Sequence, residues 1–312
     1  MTITRSLRAA VIGSALLIAA TCHAKDRTSV WIDTDPSIGA PWREVDDAFA
    51  LLLAFASPEL EIVGLSSTYG NAGVRRTTAV AGDLARRFGH AEVHRGAASA
   101  RDARLRTPAT EALAKVLRER KLTYVALGPL TNLAAFLQLH PKLAHKIERV
   151  IFVGGHSPDR PPAFGPMRSL RIHDANVFKD PASARVVLQA GMPITLAGVD
   201  VAPQLAMTRD DLDQLRDAGP AGRFLYGKTR VWLWFWTKYV RERGGLVFDV
   251  LAVLPAIRSD LLTTDRRFTE VDRNGNLLVH RQRKQNTREV QFSTGVHRDA
   301  KPLIVRRLRG DG

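Results

Sequence analysis

The chain has 312 residues, 45% hydrophobic and 25% charged, which excludes bulk disorder and fits one large globular domain or at most two. Its formal charge is +15, yet the basic residues are scattered, with denser patches only at Arg281-Gln282-Arg283-Lys284 and Arg306-Arg307. No nucleic-acid-binding signature accompanies them, so a basic soluble surface is expected and a nucleic-acid partner is not. Cys22 is the single cysteine. Neither a disulfide framework nor a cysteine metal site is available, and any metal must bind through oxygen or imidazole.

In chain order, Arg5 and Arg8 precede the apolar run Ala9 to Ala20, and Cys22-His23-Ala24 ends on a small residue before Lys25. This is the pattern of a cleaved signal peptide over residues 1–24, and the run is too short to span a bilayer. The expected mature protein is a single domain over 25–312, periplasmic or secreted, with no membrane span. Lipid attachment at Cys22 is disfavoured, because Ala19-Ala20-Thr21 is a poor lead-in for it.

Val30-Trp31-Ile32 reads as a strand ending in acids, and Asp46 to Ala56 reads as a helix with Phe49, Leu52, Leu53 and Phe55 on its apolar side. Ser57-Pro58 stops that helix, and Glu61 to Leu65 starts a second strand. Helices follow over 74–88, 108–120, 129–139 and 181–189, alternating with strands near Val93 and over 122–127, 149–153 and 194–199. Such alternation predicts an α/β fold, a mainly parallel twisted sheet flanked by helices in the Rossmann-like manner, with functional residues beyond the carboxyl ends of the strands. The last third predicts helices over 209–217, 223–243 and 249–257, then short strands from Phe268 to Val305.

Asp33 and Asp35 end the first strand and Asp46-Asp47 open the next helix, so four carboxylates converge on one crossover. Helix capping accounts for one or two acids, not four. Packed like charges repel unless a cation or protons neutralise them, and with oxygen donors alone the fitting guest is calcium or magnesium.

Asp33-Thr34-Asp35-Pro36 followed by Asp46-Asp47-Ala48 resembles the amino-terminal signature of the inosine-uridine-preferring nucleoside hydrolases. Further blocks follow in that family's order: Gly70-Asn71, Val93 to Ala97, Leu127 to Asn132, Val153-Gly154-Gly155, Asn176 to Pro181, Gly191 to Thr195 and Phe248 to Val253. The resemblance implies hydrolysis of the N-glycosidic bond of ribonucleosides to ribose and free base, in purine or pyrimidine salvage. It implies a calcium ion (Ca2+) held by Asp35, Asp47, Asp249 and the backbone carbonyl of Thr131. Asp35 is then the general base for the attacking water. Asp46, Asn71, Asn176 and Asp174 are the sugar contacts, Asp174 standing where the family usually has glutamate. Homo-oligomers, dimers or tetramers, are implied as well.

Three features depart from that pattern. Ser37 to Val45 lengthens the link between Pro36 and Asp46, and the stretch Ala98 to Thr107 is short and lacks the family's histidine- and glycine-containing segment. Phe248 stands where purine-active members carry a histidine that helps the base leave. His156 and His173 are the candidates to face the base instead, against a default of structural roles. Trp232, Trp234, Trp236 and Tyr239 could stack on a base, or serve as helix core or an oligomer surface. Two alternatives stand beside hydrolysis: a nucleoside- or ribose-binding protein without turnover, and a haloacid-dehalogenase-type phosphatase, whose opening DxDx[TS] pattern Asp33 to Ser37 also fits with Asp33 as nucleophile.

Overall fold

A computed structural model describes residues 27–39 and 44–311. The expected signal peptide and Cys22 lie outside the described residues, as does the middle of the Ser37 to Val45 link. Among the described residues no helix is long and apolar enough to cross a membrane.

The strands are β1 (Thr28–Thr34), β2 (Leu60–Ser67), β3 (Val93–Arg95), β4 (Leu122–Ala126), β5 (Ile147–Val153), β6 (Ala163–Phe164), β7 (Leu170–Arg171), β8 (Ile194–Ala197), β9 (Leu262–Val271), β10 (Leu277–His280) and β11 (Arg288–Val296). Nine of them form one sheet in the order β10-β9-β11-β8-β5-β4-β1-β2-β3, while β6 and β7 make a separate small hairpin. From β3 to β11 every neighbouring pair is parallel, and only the β9 pairings are antiparallel. The expected mainly parallel sheet is therefore present.

The helices are α1 (Asp46–Phe55), α2 (Val74–Leu84), α3 (Pro108–Glu119), α4 (Thr131–Leu139), α5 (Ala175–Lys179), α6 (Pro181–Gln189), α7 (Arg209–Asp213), α8 (Pro220–Lys228), α9 (Arg230–Trp234), α10 (Val250–Ile257) and α11 (Ala300–Arg309). They cover both faces of the sheet, and the period-2 alternation of the strands supplies both cores. Val30, Ile32, Val125, Ile151 and Val153 pack with α1 and α10 on one face. Trp31, Tyr124, Ala126, Val150 and Phe152 pack with α3, α4 and α6 on the other.

Two sequence expectations change. The helix expected over 223–243 is broken into α8 and α9, and α9 runs on into a π turn over Phe235–Tyr239. The final segment up to Val305 is not all strand: after β11 the chain ends in α11, whose Leu303, Ile304 and Leu308 complete the α1 core. Short apolar runs such as this one fit either element until a partner surface selects the period.

β1 sits where the chain reverses its order of strand addition: β2 and β3 are laid down on one side and β4 and β5 on the other. Connections leaving the carboxyl ends at such a switch point part in opposite directions and open a crevice.

Candidate active site

The crevice holds a cavity of about 430 Å³. Glu44 at the end of the loop after β1, Asp46 at the start of α1 and Asp249 just before α10 line its floor. Asp46, Asp47 and Asp249 are buried, and each offers a carboxylate oxygen, all within 4.8 Å of one another. Asp35 joins them from the end of β1 and is likewise buried.

A network of donors fixes these acids. Thr34 Oγ1 donates to Asp47 Oδ1 at 2.5 Å, the Asp35 backbone N–H donates to the same oxygen at 3.1 Å, and Asn71 Nδ2 donates to Asp47 Oδ2 at 2.9 Å. The Asn71 backbone N–H donates to Asp35 Oδ2 at 2.7 Å. Asn71, expected as a sugar contact, thus also braces two of the carboxylates. Close backbone approach matters here: a Cβ on Gly70 would lie 1.6 Å from Asp35 Oδ2, and one on Gly128 would lie 2.9 Å from Asp35 Oδ1.

The electrostatics of the floor favour a cation or protons on these acids. Burial, then repulsion from Asp47, pushes Asp35 well above the usual aspartate range; burial and the neighbouring Glu44 and Asp47 do the same to Asp46. Asp249 is raised by burial and by Asp46 and Asp47, while Asp47 itself is raised by burial against the pull of its donors. Asp35 Oδ1 and Asp46 Oδ1 are buried without a hydrogen-bond partner. Orphaned carboxylate oxygens in an all-oxygen cluster fit a hard divalent cation.

Thr131 opens α4 beside this floor, fully buried, and its hydroxyl donates to Asp180 Oδ2 at 2.6 Å. Asp33 is one step behind it. It belongs to the Trp31 side of β1, accepts from Ser66 Oγ at 2.6 Å and Asn132 Nδ2 at 2.8 Å, and burial pushes it up to about 6. Ser66 in turn accepts from Trp31 Nε1 at 2.8 Å. Asp33 supports the crossover and does not line the cavity.

One wall comes from α5 and the residues before it. Asn176 Nδ2 donates to the carbonyls of Leu127 at 2.7 Å and Val153 at 3.3 Å, tying the ends of β4 and β5 together, so its side-chain oxygen is the group left to accept from a ligand. Asp174 caps α5 through Val177 N–H at 3.3 Å and accepts from Gly155 N–H at 2.7 Å, which commits both of its oxygens to backbone. His173 lines the cavity and stacks on Phe178 with centroids 4.5 Å apart. His156 does not line it: the residue is buried, its backbone bridges to Leu278, and its Nδ1 meets the Ser157 carbonyl at 2.9 Å. The candidate role of His156 at the base gives way to the structural one, because the sheet end folds β10 over it.

The other wall is aromatic. Phe248 packs edge-on to Phe164 at 5.6 Å and lies 6.1 Å from Trp236, and Phe235 and Trp236 line the cavity with it. The π turn after α9 supplies this pair; such widened turns recur at functional sites. Trp234 and Tyr239 are half or more exposed on the outside. Trp232 is buried against Phe49 and donates through Nε1 to Glu44 Oε2 at 3.2 Å. Glu44 and Lys179, neither singled out by their positions in the sequence, also line the cavity. Burial, opposed by the Trp232 donor, pushes Glu44 up to about 7.

The fold and floor define an α/β protein that presents a buried aspartate cluster, suited to a divalent metal, at the carboxyl edge of a parallel sheet. Residues 30–301 match the model of the inosine-uridine preferring nucleoside hydrolases, and the chain belongs to that family. It is 27% identical over 281 residues to uridine nucleosidase 1 of Arabidopsis thaliana, covering 80% of each chain. It is 29% identical over 278 residues to the pyrimidine-specific ribonucleoside hydrolase RihA of Salmonella paratyphi C, covering 78% of this chain and 84% of that one. Among solved structures, a plant nucleoside hydrolase superposes with a TM-score of 0.78 at 25% identity, over 90% of this chain and 99% of that chain. The purine-preferring ribonucleoside hydrolase of Gardnerella vaginalis gives 0.76 at 23% identity, over 91% and 98%. The phosphatase alternative falls with this membership, and Asp33, the nucleophile it needs, is held by Ser66 and Asn132 in a supporting role.

Proposed function

We propose that the protein hydrolyses the N-glycosidic bond of ribonucleosides, with Asp35 as general base and calcium as the resident metal. The observation that carries this is the buried cluster of Asp35, Asp46, Asp47 and Asp249, in which Asp35 and Asp46 keep unpartnered oxygens and Asp46 and Asp249 line a cavity with one polar and one aromatic wall. Asp47 and Asp249, which share a cluster with Asp46, would hold the ion, with Asp35 and the Thr131 carbonyl as the further ligands the family resemblance implies. When bound, the cation supplies a fixed point for vicinal hydroxyls and lowers the pKa of a water beside it.

The remaining work falls to the chain. Asp35, held by the Asn71 N–H and pressed by Gly70 and Gly128, takes a proton from the attacking water. Asp46 and the Asn176 side-chain oxygen accept from ribose hydroxyls. Carboxylates around the sugar favour the positive charge that builds on the ring as the bond to the base lengthens. Water oxygen then bonds to C1′, the C1′–N bond breaks, and the departing base carries away the electron pair and takes a proton from solvent, to which Asp35 returns the one it accepted. Phe235, Trp236 and Phe248 exclude water and offer flat faces for the base.

Ribose release from a panel of purine and pyrimidine nucleosides, with chelator and then with added calcium, tests this. Calcium-dependent reducing sugar supports it; nucleoside binding without any ribose formed identifies a binding protein on the same fold. We also propose a cleaved signal peptide over residues 1–24, giving a single mature domain over 25–312 outside the cytoplasm, and a homo-oligomer, which fractionation and light scattering read directly.

A further inference from the structure

The lengthened link between Pro36 and Asp46 brings a carboxyl group into the cavity. Its two described ends are anchored: Ile38 and Val45 are buried in the core, and Ser37 Oγ donates to the Glu44 carbonyl at 3.3 Å. Glu44 is therefore held at a fixed place, with one oxygen accepting from Trp232 Nε1 at 3.2 Å and the side chain lining the cavity.

The place follows from the neighbours. Trp232 and Trp236 are about one turn apart on α9 and its π extension, so they fall on the same side. Trp236 lines the cavity, and Glu44, bound to Trp232 and two residues ahead of Asp46, sits where the aromatic wall meets the carboxylate floor. A ribose held by its 2′,3′-diol against that floor sends C1′ and C4′ to opposite sides. The 5′-hydroxyl suits the polar wall of Asn176 and Lys179, and the base suits the aromatic wall. On that side Phe248 offers no hydrogen bond, whereas Glu44 lines the same cavity and is tied to the tryptophan segment through Trp232.

We propose that Glu44 contacts the nucleobase of the bound substrate and supplies the hydrogen bond that Phe248 does not. This inference rests on the nucleoside reading given above. It makes the lengthened link a specificity element: the base is read by a residue from the β1–α1 crossover and not by the residue before Asp249.

The test compares nucleosides with 4-nitrophenyl β-ribofuranoside, which presents the same sugar but no nucleobase. Glu44→Ala is expected to lower kcat/KM for uridine and inosine about tenfold or more, while the aryl riboside changes by less than about threefold. Trp232→Phe, which releases Glu44 from its anchor, moves the same way by a smaller factor. Glu44→Gln, which keeps a hydrogen-bonding group of the same length, retains most of the nucleoside rate. Calcium affinity and the melting temperature, measured alongside, show that floor and fold are intact. Equal losses on both substrate types, or no loss on either, overturn the proposal. Were the wild type to release no ribose at all, hydrolysis itself fails, and calorimetry then decides on Glu44: its removal must weaken nucleoside binding and leave ribose binding unchanged.

Discussion

Gly70→Ala isolates what holds Asp35, the proposed general base, in place. A Cβ at residue 70 would lie 1.6 Å from Asp35 Oδ2 and 2.7 Å from its carboxyl carbon, whereas real Cβ contacts stay beyond 3.0 Å. The Asp35 carboxylate must then retreat by more than an ångström, away from the Asn71 N–H that fixes it at 2.7 Å. Misplacing a reacting group by about 1 Å costs roughly a hundredfold in rate. The same crowding, with the positive φ of 157° at this position, destabilises the fold by about 1–3 kcal/mol. Steady-state ribose release and thermal melting measure the two effects. Gly191→Ala serves as control: its φ is also positive, at 83°, but nothing lies within 4 Å of the added methyl. That variant should lose about 1 kcal/mol of stability and keep its activity. A Gly70→Ala enzyme with unchanged kcat/KM would show that Asp35 is not positioned by this contact, and the assignment of the base would fail with it.

Other expectations follow from the same floor. Asp35→Asn should lower hydrolysis by at least about a hundredfold while the metal-free protein melts no lower than wild type, because a buried carboxyl displaced upward gives way to a neutral amide. Without metal, stability should fall as pH rises. The buried acids have raised folded pKa values, so the native state binds more protons than the unfolded chain, and that stabilisation is present at low pH and lost as pH climbs through the folded values. Asp33 alone, moved from 3.8 to about 6, accounts for about 3 kcal/mol of this fall between those values. Calcium should raise the melting temperature most above pH 7, and a flat profile in chelator would contradict the burial of these charges. Asp249→Asn should weaken calcium binding in calorimetry by tenfold or more, on the order of one lost charged ligand. Arg307→Ala, deleting donors to the Ala56 carbonyl at 2.9 Å and Glu59 at 2.7 Å from a buried site, should cost about 3 kcal/mol in denaturant melts without touching catalysis.

The parallel sheet and the acidic crossover were legible in the sequence because both are local. Val30, Trp31 and Ile32 alternate between two cores, and Asp35, Asp46 and Asp47 lie within one strand-to-helix connection, so chain order alone brings them together. Asp249 is about two hundred residues further on, and its place rested on resemblance until α10 packed against α1 beside β1. What the sequence left open, the tertiary structure decided. His156 and His173 looked alike as lone histidines near strand ends, yet one is folded under β10 and the other lines the cavity. Trp232, Trp234, Trp236 and Tyr239 share one segment, and only the direction each takes around a widened turn separates core, cavity and surface. Glu44 carried no signal in a loop of mixed composition. Its character comes from Trp232, nearly two hundred residues away, and from burial that no local pattern encodes.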